Sequence, residues 1–152
     1  MKRGIVFMLS LCMLMLCGLN SCEKENEQTS TTKEDLLVGK WKSTKVEYQE
    51  YKNGKLVYEE SEKCVSWYIA FDFRDNGTGS EIIYEDGESY LDEISSWIIM
   101  GENLILKYED GEAGSMQIEE ISENSMVLKF VDEYSYDGIK YEDVTTYYFT
   151  KI

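Results

Sequence analysis

The 152-residue chain sets 30 acidic side chains against 15 basic ones, a net charge of −15, and contains neither histidine nor proline. So acidic a surface repels phosphate and excludes nucleic acid as a partner. The lack of histidine removes the Ser-His-Asp triad, the imidazole general base and the histidine metal site.

Lys2 and Arg3 precede a run from Ile5 to Leu16 that is apolar apart from Ser10, the layout of a secretory signal. The stretch from Gly4 to Leu19 falls short of the roughly 20 residues a membrane-spanning helix needs. It ends in Leu19-Asn20-Ser21-Cys22, which resembles the bacterial lipobox. That resemblance implies that residues 1–21 are a lipoprotein signal peptide and that Cys22 is lipidated, becoming the first residue of the mature chain and its membrane attachment. Cys12 and Cys17 leave with the leader, as does the charge of Lys2 and Arg3, which takes the net charge from −15 to −17. Cys64 is then the only cysteine of the mature domain, so no internal disulfide forms, and with no histidine to activate it the thiol reads as structural.

Residues 23–35, EKENEQTSTTKED, contain no apolar side chain. With Cys22 they read as a flexible acidic tether, whose thirteen residues reach at most about 43 Å. An acidic run directly after the lipidated cysteine resembles the signals that carry some Gram-negative lipoproteins to the cell surface. The expected location is the outer membrane, lipid-anchored, on its periplasmic or its outer face.

From residue 36 to 152 the chain reads as one domain. A short helical turn around Glu34–Val38 is followed by runs rich in Tyr, Ile, Val, Phe and Trp. The runs are separated by Asn53-Gly54, Asn76-Gly77, Asp86-Gly87, Gly101-Glu102-Asn103, Asp110-Gly111, Ser122–Asn124 and Asp137-Gly138. Asn-Gly and Asp-Gly tolerate the positive φ of two-residue hairpins, the strongest short-range β signal. Period-two alternation sets Ile69, Phe71 and Phe73 on one face, then Leu104, Leu106 and Tyr108, Met126, Leu128 and Phe130, and Tyr147 and Phe149. The expected fold is all-β, an antiparallel up-and-down meander of about eight to nine strands, closed into a barrel that leaves no exposed edges; a β-sandwich is the alternative.

Gly39-Lys40-Trp41, after a short helical turn and opening the first strand, matches the Gly-x-Trp motif of lipocalins. The domain over 36–152 is similar to the small lipocalin-like domains of bacterial lipoproteins. The resemblance implies that Gly39 and Trp41 close one end of an eight-stranded barrel and that a small apolar ligand is held inside. Inward aromatics Trp67, Phe71, Phe73, Trp97 and Phe130 would line that cavity. The lipocalin tryptophan packs on an arginine near the last strand; here the nearest late cation is Lys151, and the central Thr-Asp-Tyr motif is absent.

Tyr84-Glu85-Asp86-Gly87-Glu88 recurs residue for residue as Tyr108-Glu109-Asp110-Gly111-Glu112. Both turns are expected on one acidic rim with Glu59, Glu60, Glu62, Asp137, Glu142 and Asp143, at the closed end where the first strand begins. That rim reads either as a cation site or as solvated turns; no Ca²⁺-loop spacing occurs, and no metal or cofactor is implied. No phosphate loop or singular carboxylate pair marks an enzyme. Two functions remain: a lipid-anchored binding protein with an apolar ligand in its barrel, or an envelope interaction protein with a packed barrel and a tyrosine-rich exterior that docks a protein or glycan.

Overall fold

The computed structural model describes residues 31–152. The leader, Cys22 and most of the tether lie outside the described residues. The order of elements is α1 (Lys33–Leu37), β1 (Gly39–Lys52), β2 (Lys55–Lys63), β3 (Tyr68–Phe73), β4 (Gly79–Glu85), β5 (Glu88–Met100), β6 (Asn103–Tyr108), β7 (Ala113–Ile121), β8 (Ser125–Tyr136) and β9 (Ile139–Lys151). Helix α1 takes in Lys33–Asp35 of the segment read as tether. It starts because Thr32 forms a capping box: its hydroxyl accepts from the Asp35 amide, and the Asp35 carboxylate accepts from the Thr32 amide.

All neighbouring strands pair antiparallel, and β9 returns to pair with β1 from Trp41↔Lys151 to Lys52↔Tyr141, closing the sheet. The closed barrel is β1 with β3–β9, eight strands as expected, and β2 is an additional strand on β1. Three reversals are two-residue turns with both central residues at positive φ: Asn53-Gly54, Asp86-Gly87 and Asp137-Gly138. Asn and Asp are the non-glycine residues that tolerate this conformation, and the turn's twist matches that of the strands. The second YEDGE copy folds differently, as a four-residue loop in which Asp110 accepts from the Glu112 amide.

Strands β2 and β3 lie along the same edge of β1, with registers Lys45↔Lys63 and Lys42↔Ala70. Between them Cys64–Trp67 bulges from a continuous path, and the Cys64 amide still bonds the Thr44 carbonyl at 3.0 Å. There is therefore no reversal near Glu59–Glu62. This overturns the expected placement of the acidic rim. The two YEDGE turns do share an end with Asp137, but that end also holds Asn53-Gly54 with Lys52 and Lys55, and it lies opposite the start of β1. Glu59, Glu60 and Glu62 sit within β2, and Arg74 lies at the other end. The run is polar because β2 rises above the barrel and is exposed along its whole length, not because it turns.

The core fills the end where β1 begins. Leu37, Trp41, Phe73, Ile94, Leu104, Leu106, Met126 and Leu128 are almost completely buried. Phe71 stacks on Phe73 with centroids 5.1 Å apart, and Trp97 meets Phe73 edge-on at 5.9 Å. The alternation read in the sequence puts these residues inward as expected. Phe130 shares the inward face of Leu128 but is 46% exposed, because β8 has by then climbed beyond the packed layer.

Candidate functional site

The closed end is built on Gly39 and Trp41. The indole Nε1 of Trp41 donates to the Leu37 carbonyl at 2.7 Å, fastening strand to helix. Lys151 lies with its ammonium 4.9 Å from the Trp41 ring centroid and donates to the Leu36 carbonyl at 3.0 Å. A lysine of the last strand thus covers the tryptophan face. Gly39 makes room for it: its φ is +132°, and an added Cβ would lie 2.5 Å from Lys151 Cε.

Above this floor, toward the opposite end, the interior is not filled. A cavity of about 220 Å³ is lined by Ile69, Phe71, Met116, Phe130, Tyr147 and Phe149, with Glu81 and Tyr108 in its wall. On the β7 wall the inward position between Met116 and the loop is Gly114, which has no side chain and leaves the space open. Glu81 faces inward because its register partner on β3 is Phe71, and residues directly opposed in a ladder share a face. Its Oε2 accepts from the Tyr108 hydroxyl at 2.5 Å. Burial pushes the Glu81 carboxyl above its ordinary value; the Tyr108 bond opposes this, and the nearby Asp92 adds to it. Burial, with Glu81 beside it, also raises the Tyr108 phenol, and burial takes Tyr147 up to about 12, so both stay protonated donors at neutral pH.

Of the aromatics expected to line a cavity, the structure brings Phe71 and Phe130 to it. Phe73 and Trp97 belong to the packed floor instead, where the Trp97 indole donates to the Thr78 carbonyl at 2.9 Å. They lie toward the closed end of their strands, below the open space. Trp67 stands on the bulge between β2 and β3, donates to Glu62 Oε1 at 2.6 Å, and lines a separate, more polar recess of about 480 Å³ with Tyr48, Ile83 and Glu85. Ile69 borders both spaces.

Sequence reasoning did not single out Glu81, Tyr108 or Tyr147. Tyr108 and Tyr147 were on faces assigned inward by alternation, which was the available signal. Glu81 had none: in Ser80-Glu81-Ile82-Ile83 the apolar residues fall on both faces. Cys64 is half-buried and its thiol is pushed up by burial, which suits an unreactive structural residue. Among the described residues no group of three Asp, Glu or Cys side chains is arranged to hold a metal ion.

No curated protein matches the chain. The sequence profile of the lipocalin-like domain matches residues 37–128, from the buried end of α1 to the first third of β8 and across most of the cavity wall. With the closed barrel, the Gly39–Trp41 floor and a match over more than half its length, the chain belongs to the lipocalin-like domain family.

Proposed function

We propose that this protein is a lipid-anchored lipoprotein of the outer membrane whose barrel binds a small apolar ligand rather than catalysing a reaction. The observation that carries the binding role is the cavity of about 220 Å³ above a close-packed floor, lined chiefly by aromatic and aliphatic side chains. Lipocalin-like proteins are typically binding proteins, and a floor as tightly closed as that around Trp41 leaves the opposite end as the mouth. The anchoring role rests on the leader and on Leu19-Asn20-Ser21-Cys22. The division into residues 1–21 as signal, 22–35 as lipidated cysteine with its tether, and 36–152 as the binding domain follows from the same segment.

Native mass spectrometry after incubation with an envelope lipid extract tests the binding role. A discrete added mass is expected; a bare chain at every lipid concentration would overturn it. Metabolic labelling with palmitate and fractionation test the anchor: Cys22→Ala is expected to abolish both the label and recovery with the outer membrane. A wild-type chain that takes up no label would end the lipoprotein reading.

A second reading has its own observation. The strands that rise above the barrel carry the stacked pair Tyr134–Tyr141, centroids 5.1 Å apart, beside Tyr136, which is 73% exposed. Such ring faces suit glycan stacking or a protein partner. An absent lipid adduct together with retention on an envelope glycan column would favour it.

A further inference from the structure

We infer that the molecule held in the barrel is apolar at one end and carries a cationic, amine-type group that meets Glu81. This rests on the binding role proposed above and names the class of ligand. The cavity has two chemically distinct parts. Its lower wall is hydrocarbon and aromatic ring, from Phe71, Met116 and Phe149. Glu81 is the charged residue of its lining, and among the described residues its carboxylate makes no ion pair with Lys or Arg. One oxygen takes the Tyr108 hydroxyl; the other has no donor among the described residues and stays open to the solvent of the cavity, since no buried side-chain oxygen there lacks a partner. A carboxylate set in an apolar wall is costly unless a donor or a cation meets it, and a ligand ammonium supplies both.

The way in has the same sign. Cross-strand partners share a face, and the register carries the inward face upward from Glu81 to Asp92 on β5 and from Val46 to Glu62 on β2. Higher still it pairs Glu50 with Asp143 and Asp143 with Asp132. Above the cavity, among the described residues, positive charge on this face comes at the tip, where Lys52 pairs with Lys55 and sits over the Tyr141 ring, while Lys151 lies below at the closed end. Field lines converging in such a mouth concentrate cations and repel carboxylates before contact. A fatty acid, the obvious occupant of an apolar barrel, would have to bring its own negative charge past these groups and beside Glu81.

The test is isothermal titration of the full chain at pH 7 with three water-soluble probes that share one alkyl chain: hexylamine, hexan-1-ol and hexanoate. Hexylamine is expected to bind about tenfold or more tighter than hexanol, the scale of one charge-assisted contact, and hexanoate weakest of the three. Glu81→Gln keeps an acceptor for Tyr108 and should bring hexylamine down to the level of hexanol, while a urea midpoint no lower than that of the wild type shows that the barrel is intact. Equal binding of amine and alcohol to the wild type would overturn the cationic inference and leave the apolar binding role standing. Preference for hexanoate would overturn it as well. If none of the three binds, the cavity is no binding site and both readings fall together.

Discussion

Replacing Gly39 with alanine tests the physical reason for the glycine in the closing motif. Two separate costs meet at this position. The backbone has φ +132°, a region that side-chain-bearing residues rarely enter, at about 1–3 kcal/mol. The new Cβ would also come within 2.5 Å of Lys151 Cε. That atom is near the end of a flexible side chain, so the clash resolves by swinging the lysine away. The swing gives up the bond to the Leu36 carbonyl and the position over Trp41, together about 1–2 kcal/mol for partly buried groups. The total is about 2–5 kcal/mol. Urea unfolding followed by tryptophan fluorescence should place the midpoint roughly 1–2.5 M lower for a slope near 2 kcal/mol/M. Gly87→Ala is the control, since its φ is +86° but nothing lies within 4 Å of the added Cβ, and it should cost only about 1–2 kcal/mol. In a Lys151→Ala background the cost of Gly39→Ala should shrink to the backbone part. If Gly39→Ala costs under about 0.5 kcal/mol, or the same with and without Lys151, this account of the closed end is wrong.

The packed floor and the open cavity should respond differently to truncation. Phe73→Ala, at a site 1% exposed, is expected to cost about 3–5 kcal/mol in urea melts. Phe130→Ala, at 46% exposure, should cost less than about 1.5 kcal/mol while weakening ligand uptake. Equal losses at the two sites would mean that Phe130 is a core residue and the cavity is filled in solution. Glu81→Gln should raise the melting temperature at pH 7. The Glu81 carboxyl is held above its ordinary value by burial, so the folded chain binds that proton more tightly than the unfolded one. The ionised side chain therefore costs stability above the folded-state value, and the cost fades as pH falls through it. The advantage of the variant should accordingly disappear near pH 4; a variant less stable than wild type at pH 7 would show that Tyr108 more than offsets the burial.

The hairpins were legible because the chemistry of Asn53-Gly54, Asp86-Gly87 and Asp137-Gly138 is local: a turn that needs positive φ must be written in the residues that occupy it. The inward faces of β3, β6 and β9 were legible for a similar reason, since one side of each strand meets a core. What failed was reading charge as a turn. Glu59, Glu60 and Glu62 are polar because β2 stands clear of the barrel with both faces in solvent, and nothing within that stretch distinguishes such a strand from a loop. One misplaced reversal then inverted the assignment of every rim after it. Glu81 was hidden for the opposite reason. Strand β4 has isoleucines on both faces, Ile82 against the outer side of the wall and Ile83 within, so its inward acid breaks no pattern. Trp41 is legible from its motif and Lys151 as the nearest late cation, but their contact is not, because a lysine from 110 positions downstream reaches the ring only once the last strand is beside the first.

That last pairing governs the order of events when the chain is made. Strand β3 finds β1 across the β2 hairpin and β4 to β9 each find a partner in the strand before, but β1 waits for β9, which is made after every other strand of the barrel. Until then the growing chain is an open sheet with two raw margins, and bringing its extremes together carries the entropic cost of its longest-range strand pairing. The stretch that the family profile matches stops at Leu128, within β8, and so cannot close by itself. A nascent or truncated product ending before Ile139 should behave as a sticky intermediate, and commitment to the native state comes only after the final strand has emerged.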